Sequence, residues 1–92
     1  MSFTISTNTR LIEKKIAPEF FGPVIRGEKN FELRNDEDER INVGDILLLR
    51  EYADGAYTGN ETLRLVDYVL RDYPGLEAGY CIISFRKGYA IS

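Results

Sequence analysis

Apolar and polar residues alternate with a period of two along much of the chain, which predicts strands with one buried face. The predicted strands cover residues 10–16, 29–34, 46–52, 61–70 and 80–85. Residues 1–8 are expected to form an arm or an edge strand, and residues 86–92 a tail that turns back as an extra strand. Because turns rather than helices join most of these strands, the sheet is expected to be mostly antiparallel.

One short helix is predicted over residues 17–27. Pro18 suits the first helical turn, where its missing N–H is no loss, and Gly27 suits the left-handed position after the last turn. The apolar residues expected to face the core are Phe20, Phe21, Val24 and Ile25. A small sheet protects its edges best by closing on itself. The predicted fold is therefore α+β and mostly β, a small barrel of five to six strands with one short helix.

Three further features of the pattern carry local predictions. The run at residues 46–52 is apolar over most of its length and is expected to be a central strand buried on both faces. Asp54 and Gly55 follow it and predict a two-residue hairpin turn. The acidic run at residues 36–39 is expected to be a solvated turn, and Cys81 a small buried apolar residue.

Length and composition restrict the classes of protein that remain. The 92 residues predict one domain spanning residues 1–92, with its core at about 10–86. The chain has no His and one Cys, which excludes zinc sites built from these ligands and catalysis by Ser-His-Asp or Cys-His arrangements. No metal or cofactor is expected. With neither a signal peptide nor a long apolar run, the chain is expected to be cytoplasmic and without membrane contact.

The stretch Gly27–Arg34 combines charged and apolar side chains in one short run. On an extended chain Glu32 and Arg34 fall on one face and Phe31 and Leu33 on the other, so the strand is expected to bury its two apolar residues. Glu32 and Arg34 then lie close enough to pair with each other or to hold one polar ligand. The alternative is a solvated strand face that carries a weak surface ion pair.

The spacing of Gly27, Lys29, Glu32 and Arg34 matches GxKxxExR and resembles the signature of the ASCH domain, a branch of the PUA-like RNA-binding barrels. Further pieces resemble, in order, a small bacterial and phage ASCH-like domain of unknown function. These pieces are Lys-Ile-Ala-Pro-Glu-Phe-Phe, Val-Gly-Asp, Glu-Tyr, Tyr-Thr-Gly and Gly-Tyr, at residues 15–21, 43–45, 51–52, 57–59 and 79–80. The resemblance covers about residues 10–86.

The resemblance implies that RNA or a modified nucleoside binds in a cleft between the helix and the barrel. Lys29 and Arg34 would contact phosphates or base edges, and Tyr52 or Tyr57 would stack on a base. The full set of expected ligand-binding residues is Lys15, Lys29, Glu32, Arg34, Tyr52, Tyr57 and Thr58.

An amidohydrolase is the second function that the resemblance implies. Some ASCH members remove acetyl from acetylated cytidine with a motif Lys as base and a motif Thr as nucleophile. Lys29 matches the Lys, but Glu32 stands at the Thr position, and a carboxylate is a poor acyl acceptor. Lys29 and Glu32 would be the catalytic residues of such an enzyme. The chain also departs from its relatives at Ile12, where they usually carry a His.

The charge distribution bears on the choice of partner. A net charge of −3 excludes a protein that binds nucleic acid without sequence specificity, because phosphate contacts dominate the affinity of such proteins. Between Arg10 and Arg34, however, there are six basic and four acidic residues, so a local positive patch can face RNA or a nucleoside. A protein-interaction domain on the same barrel is the third alternative, and it fits the acidic charge best.

Overall fold

The computed structural model describes residues 9–86, so the predicted arm at residues 1–8 and the extra strand in the tail lie outside the described residues. It contains five strands and one helix within this range. The elements are β1 Leu11–Ile16, α1 Pro18–Ile25, β2 Phe31–Asn35, β3 Ile46–Ala53, β4 Ala56–Arg71 and β5 Tyr80–Phe85. The prediction of a mostly β, α+β chain with one short helix is confirmed. No helix in this part of the chain is long and apolar enough to cross a membrane.

The five strands form one sheet in the order β1-β3-β4-β5-β2. β1 and β3 run parallel, and every other neighbouring pair is antiparallel. β4 is 16 residues long and pairs with β3 through its first part and with β5 through its second part. A register shift between Val66 and Tyr68 marks the change of partner. Bulges of this kind bend a strand, so β4 carries the sheet around a corner.

The predicted closure into a barrel is wrong for the described part of the chain, where the sheet is open. β1 and β2 are its two edges, and no backbone hydrogen bond joins them between residues 9 and 86. A side chain bridges the edges instead, because Arg34 Nη2 donates to the Lys15 carbonyl oxygen at 2.6 Å. A gap wide enough for a guanidinium therefore separates the two edges.

The helix packs on β3 through one narrow side. Phe21 and Val24 are buried there, as predicted. Phe20 and Ile25 are about half exposed, so the prediction that they face the core is wrong. Gly27 has φ 76° and ends the helix in the left-handed conformation, which confirms its predicted role.

A buried arginine that the alternation pattern does not reveal holds the helix against β4. Arg64 Nη2 donates to the Val24 carbonyl at 3.2 Å, and its Nη1 donates to Thr62 Oγ1 and the Leu63 carbonyl. Burial lowers the pKa of this guanidinium, which has no carboxylate partner among the described residues. These three bonds to oxygen, one of them to a carbonyl near the C-terminal end of α1, compensate for its desolvation.

The hairpin agrees with the sequence, and the predicted burial of the central strand is confirmed over most of residues 46–49 but wrong for residues 50–52, which are partly exposed. Ile46, Leu47 and Leu49 of β3 are fully buried. Asp54 and Gly55 have φ values of 52° and 81°, which are those of a two-residue turn with left-handed residues. Because this turn is so tight, pairing resumes at once and β4 begins at Ala56, five residues before the predicted start at residue 61.

The acidic loop is only partly solvated, and the prediction is wrong for Asp36, which is 4% exposed. Arg71 donates to both of its carboxylate oxygens, at 2.8 and 2.5 Å, and the Ile41 N–H donates to one of them at 2.9 Å. The Arg71 bond, which outweighs the effect of burial, lowers the pKa of Asp36 to about 2. Asp36 thus pins the loop after β2 to the end of β4.

Acidification should remove the stability that Asp36 supplies. Its pKa is about 2 in the folded chain against 3.8 for a free carboxyl, so the unfolded chain takes up the proton first as the pH falls. The difference in free energy of unfolding between wild type and Asp36→Asn should shrink by about 2 kcal/mol from about pH 5 to about pH 2. Urea denaturation measures it. The matched control is Asp54→Asn, an exposed turn residue, and an Asp36→Asn difference that does not change with pH would contradict the assignment.

Candidate functional site

A cavity of about 480 Å³ opens between the end of β1, the start of α1 and β2. We call it the cleft. Its size is within the range of small-molecule sites. Four of the seven predicted ligand-binding residues line it together with five others: Lys15, Ile16, Ala17, Phe20, Lys29, Phe31, Glu32, Leu33 and Arg34.

The two faces of β2 are the reverse of the prediction. Glu32 is 5% exposed, while Phe31 and Leu33 are 51% and 56% exposed. The alternation itself is correct, since Glu32 and the two apolar residues do lie on opposite faces. The polar face turns inward because a carboxylate can be buried when cations pair with it, and two cations are within reach.

Glu32 is held by two basic side chains, and we call Lys29, Glu32 and Arg34 the ion triad. Arg34 Nε donates to Glu32 Oε2 at 2.8 Å, so the predicted Glu32–Arg34 pair is confirmed. Lys29 Nζ donates to the other oxygen, Oε1, and to the Phe31 carbonyl at 2.7 Å. Lys29 precedes β2, so strand alternation does not force it onto the outer face. Two cations on one carboxylate leave the ion triad with one surplus positive charge.

Two phenyl rings complete the surroundings of Lys29. Its Nζ lies 5.3 Å from the centroid of the Phe20 ring and 5.0 Å from that of the Phe31 ring, both within cation–π range. Both rings are predicted to face the core, which is wrong, because both line the cleft. The neighbours Phe20 and Phe21 carry a usable signal, because adjacent residues of a helix point about 100° apart and only one of them can point directly at the sheet.

The other predicted site residues form a separate cluster beside the cleft. The Lys15 ammonium lies 4.2 Å from the Tyr52 ring centroid, and Tyr57 stands edge-on to Tyr52 with 5.2 Å between the centroids. Thr58 Oγ1 donates to a Glu51 carboxylate oxygen at 2.8 Å. None of Tyr52, Tyr57 and Thr58 lines the cleft. Lys15 belongs to both places, since its carbonyl accepts the Arg34 bond.

The chemistry available in the cleft is recognition of charge and of planar rings. The donors of Lys29 are directed at two oxygen atoms, and both carboxylate oxygens of Glu32 accept hydrogen bonds. Among residues 9–86, no three His, Cys, Asp or Glu side chains are grouped as a metal would need. Cys81 is buried as predicted, and burial raises the pKa of its thiol, which opposes reactivity at neutral pH.

The architecture defines a small α+β domain with an open five-stranded sheet and a charged cleft at its gap. By sequence the chain belongs to a family described as a domain of unknown function, DUF3850, whose model matches residues 12–85. The matched range includes the whole ion triad and all five strands, apart from the first residue of β1. No curated protein matches the chain.

Removing the central carboxylate should destabilise the fold. Glu32→Ala leaves Lys29 and Arg34 as poorly solvated cations without their partner, so the free energy of unfolding should fall by about 3 kcal/mol. The matched control is Glu28→Ala, which breaks an exposed pair with Arg26 and should leave stability nearly unchanged. Urea denaturation of the variants measures both. If the free energy of unfolding falls no further in Glu32→Ala than in Glu28→Ala, the triad does not stabilise the fold.

Proposed function

We propose that this domain is a cytoplasmic RNA- or nucleotide-binding module of the ASCH and PUA-like kind, whose ligand lies in the cleft. One observation carries the proposal: the cleft combines a buried carboxylate, two cations and two exposed aromatic rings around one open space. Nucleotides present the matching features, since they carry a planar base, polar base edges and phosphates. The likeness of the Gly27–Arg34 motif to the ASCH signature supports the same function.

The electrostatics of the cleft favour a ligand with few phosphate contacts. Glu32 neutralises one of the two cations of the ion triad, so the triad offers about one net positive charge, and the Lys15 ammonium lies beside it over the Tyr52 ring. The chain as a whole carries −3, which repels phosphates elsewhere. Affinity for single-stranded RNA should therefore depend weakly on salt, with a log–log slope of roughly −0.7 for each phosphate contact.

The base is held by stacking and by hydrogen bonds to its edge. Phe20 and Phe31 line the cleft and are open to solvent, so they replace Tyr52 and Tyr57 as the stacking residues in this proposal. Stacking on an aromatic ring contributes about 1–3 kcal/mol for each base. Arg34 and Glu32 can then contact donors and acceptors on the base edge.

Short single-stranded RNAs titrated at two salt concentrations test the proposal. Wild type should show a shallow salt slope and a preference for one base. Lys29→Ala/Arg34→Ala should lose at least about tenfold in affinity, because it removes both cations of the ion triad. The charge-matched control, Arg26→Ala/Arg40→Ala, removes two arginines that do not line the cleft and should retain most of the affinity.

Two results would contradict the proposal. Binding that is blind to sequence, steeply salt-dependent and retained by the double variant would remove the cleft from RNA recognition. Turnover of acetylated cytidine by wild type, abolished in Lys29→Ala, would establish the amidohydrolase in place of a binding module.

A further inference from the structure

The Lys29 ammonium occupies a position that is built for a cation. Two phenyl rings lie 5.3 and 5.0 Å from it, the Phe31 carbonyl lies 2.7 Å from it, and the Glu32 carboxylate contacts it directly. Every one of these groups presents negative potential to the site: the ring faces through their quadrupole, the two oxygens through their charge or dipole. Only 16% of the lysine side chain is exposed, so the site encloses most of it.

This part of the cleft cannot favour an anion. A phosphate placed between the rings and the carboxylate would meet negative potential on each side and would have to rely on Lys29 alone. A positive group placed there would meet the same favourable surroundings as the lysine. This part of the cleft is therefore suited to a positive charge, which the Lys29 ammonium supplies when no ligand is present.

Lys29 can leave this position without disrupting the sheet, and Arg34 still pairs with Glu32 when it does. Its four-carbon stem is flexible, and its residue lies in the turn between Gly27 and β2, outside the ladder of the sheet. Phe20 and Phe31 are 45% and 51% exposed, so a planar ligand reaches their faces from solvent. A displaced ammonium still lies at the cleft, where a ligand phosphate can contact it.

We propose that Phe20, Phe31 and Glu32 form a cation cage that Lys29 fills in the free protein and that a positively charged base fills in the complex. The ligand class is a nucleoside whose purine ring carries a fixed positive charge through N-alkylation. The cage is inferred from the contacts of the Lys29 ammonium, while the choice of a nucleoside as its ligand rests on the proposed function. A neutral base would displace the ammonium from Glu32 without replacing its charge, so the cage discriminates against it.

Isothermal titration calorimetry tests the cage. The matched ligands are 7-methylguanosine and guanosine, and the titrations are made at mildly acidic pH. Wild type should bind the methylated nucleoside about tenfold more tightly, because only that base carries the charge. Phe20→Leu and Phe31→Leu should each reduce this preference several-fold. Tyr68→Leu, which removes an exposed ring that does not line the cleft, is the control and should keep the preference.

Lys29→Ala gives the sharpest readout, because two effects of opposite sign are expected. It empties the cage, so affinity for 7-methylguanosine, which has no phosphate, should rise several-fold. It also removes a phosphate contact, so affinity for single-stranded RNA should fall. A loss of affinity for both ligands would overturn the cage and retain the cleft as an RNA site.

Tetramethylammonium as a second probe separates the two proposals. Binding of this ion that rises in Lys29→Ala and falls in Phe31→Leu, without binding of either nucleoside, would support the cage and overturn the nucleoside ligand. Equal affinity for 7-methylguanosine and guanosine, together with no response to tetramethylammonium, would overturn the cage, while the RNA titration would still decide the proposed function.

Discussion

The burial of the Glu32 carboxylate between Lys29 and Arg34 is the interaction on which the cleft depends. A lone carboxylate on the inner face of β2 would be too costly, and the strand would turn its apolar face inward. With two cations on its oxygens the strand keeps the opposite orientation. The same interaction directs Arg34 across the gap to the β1 backbone and holds Lys29 between the two rings.

The open sheet explains why there is space for a ligand. β4 bends at its register shift and brings β1 and β2 towards each other without pairing them. A closed ladder between these strands would fill the gap with hydrogen bonds. The Arg34 side chain spans it with one bond instead, and the cavity remains. The site is thus a consequence of incomplete closure rather than of a loop added to a finished fold.

A second buried carboxylate follows the same physical rule at the other end of β2. Asp36 is desolvated but accepts bonds from the Arg71 guanidinium and from the Ile41 N–H, and these contacts anchor the loop that leads to β3. Both ends of the edge strand are therefore fixed by paired charges. This arrangement leaves Phe31 and Leu33 about half exposed, although they are the residues that hydrophobicity alone would bury.

Local patterns in the sequence determined the strands, the helix with Pro18 at its start and Gly27 after its end, and the turn at Asp54 and Gly55, because each depends on neighbouring residues only. Strand alternation also placed Glu32 and Arg34 on one face. Which face is inward, whether the sheet closes, and which rings line the cleft were decided by tertiary structure. These features depend on where Lys29, Arg34 and Arg71 meet carboxylates and carbonyls, and on the bend in β4, which no local pattern encodes.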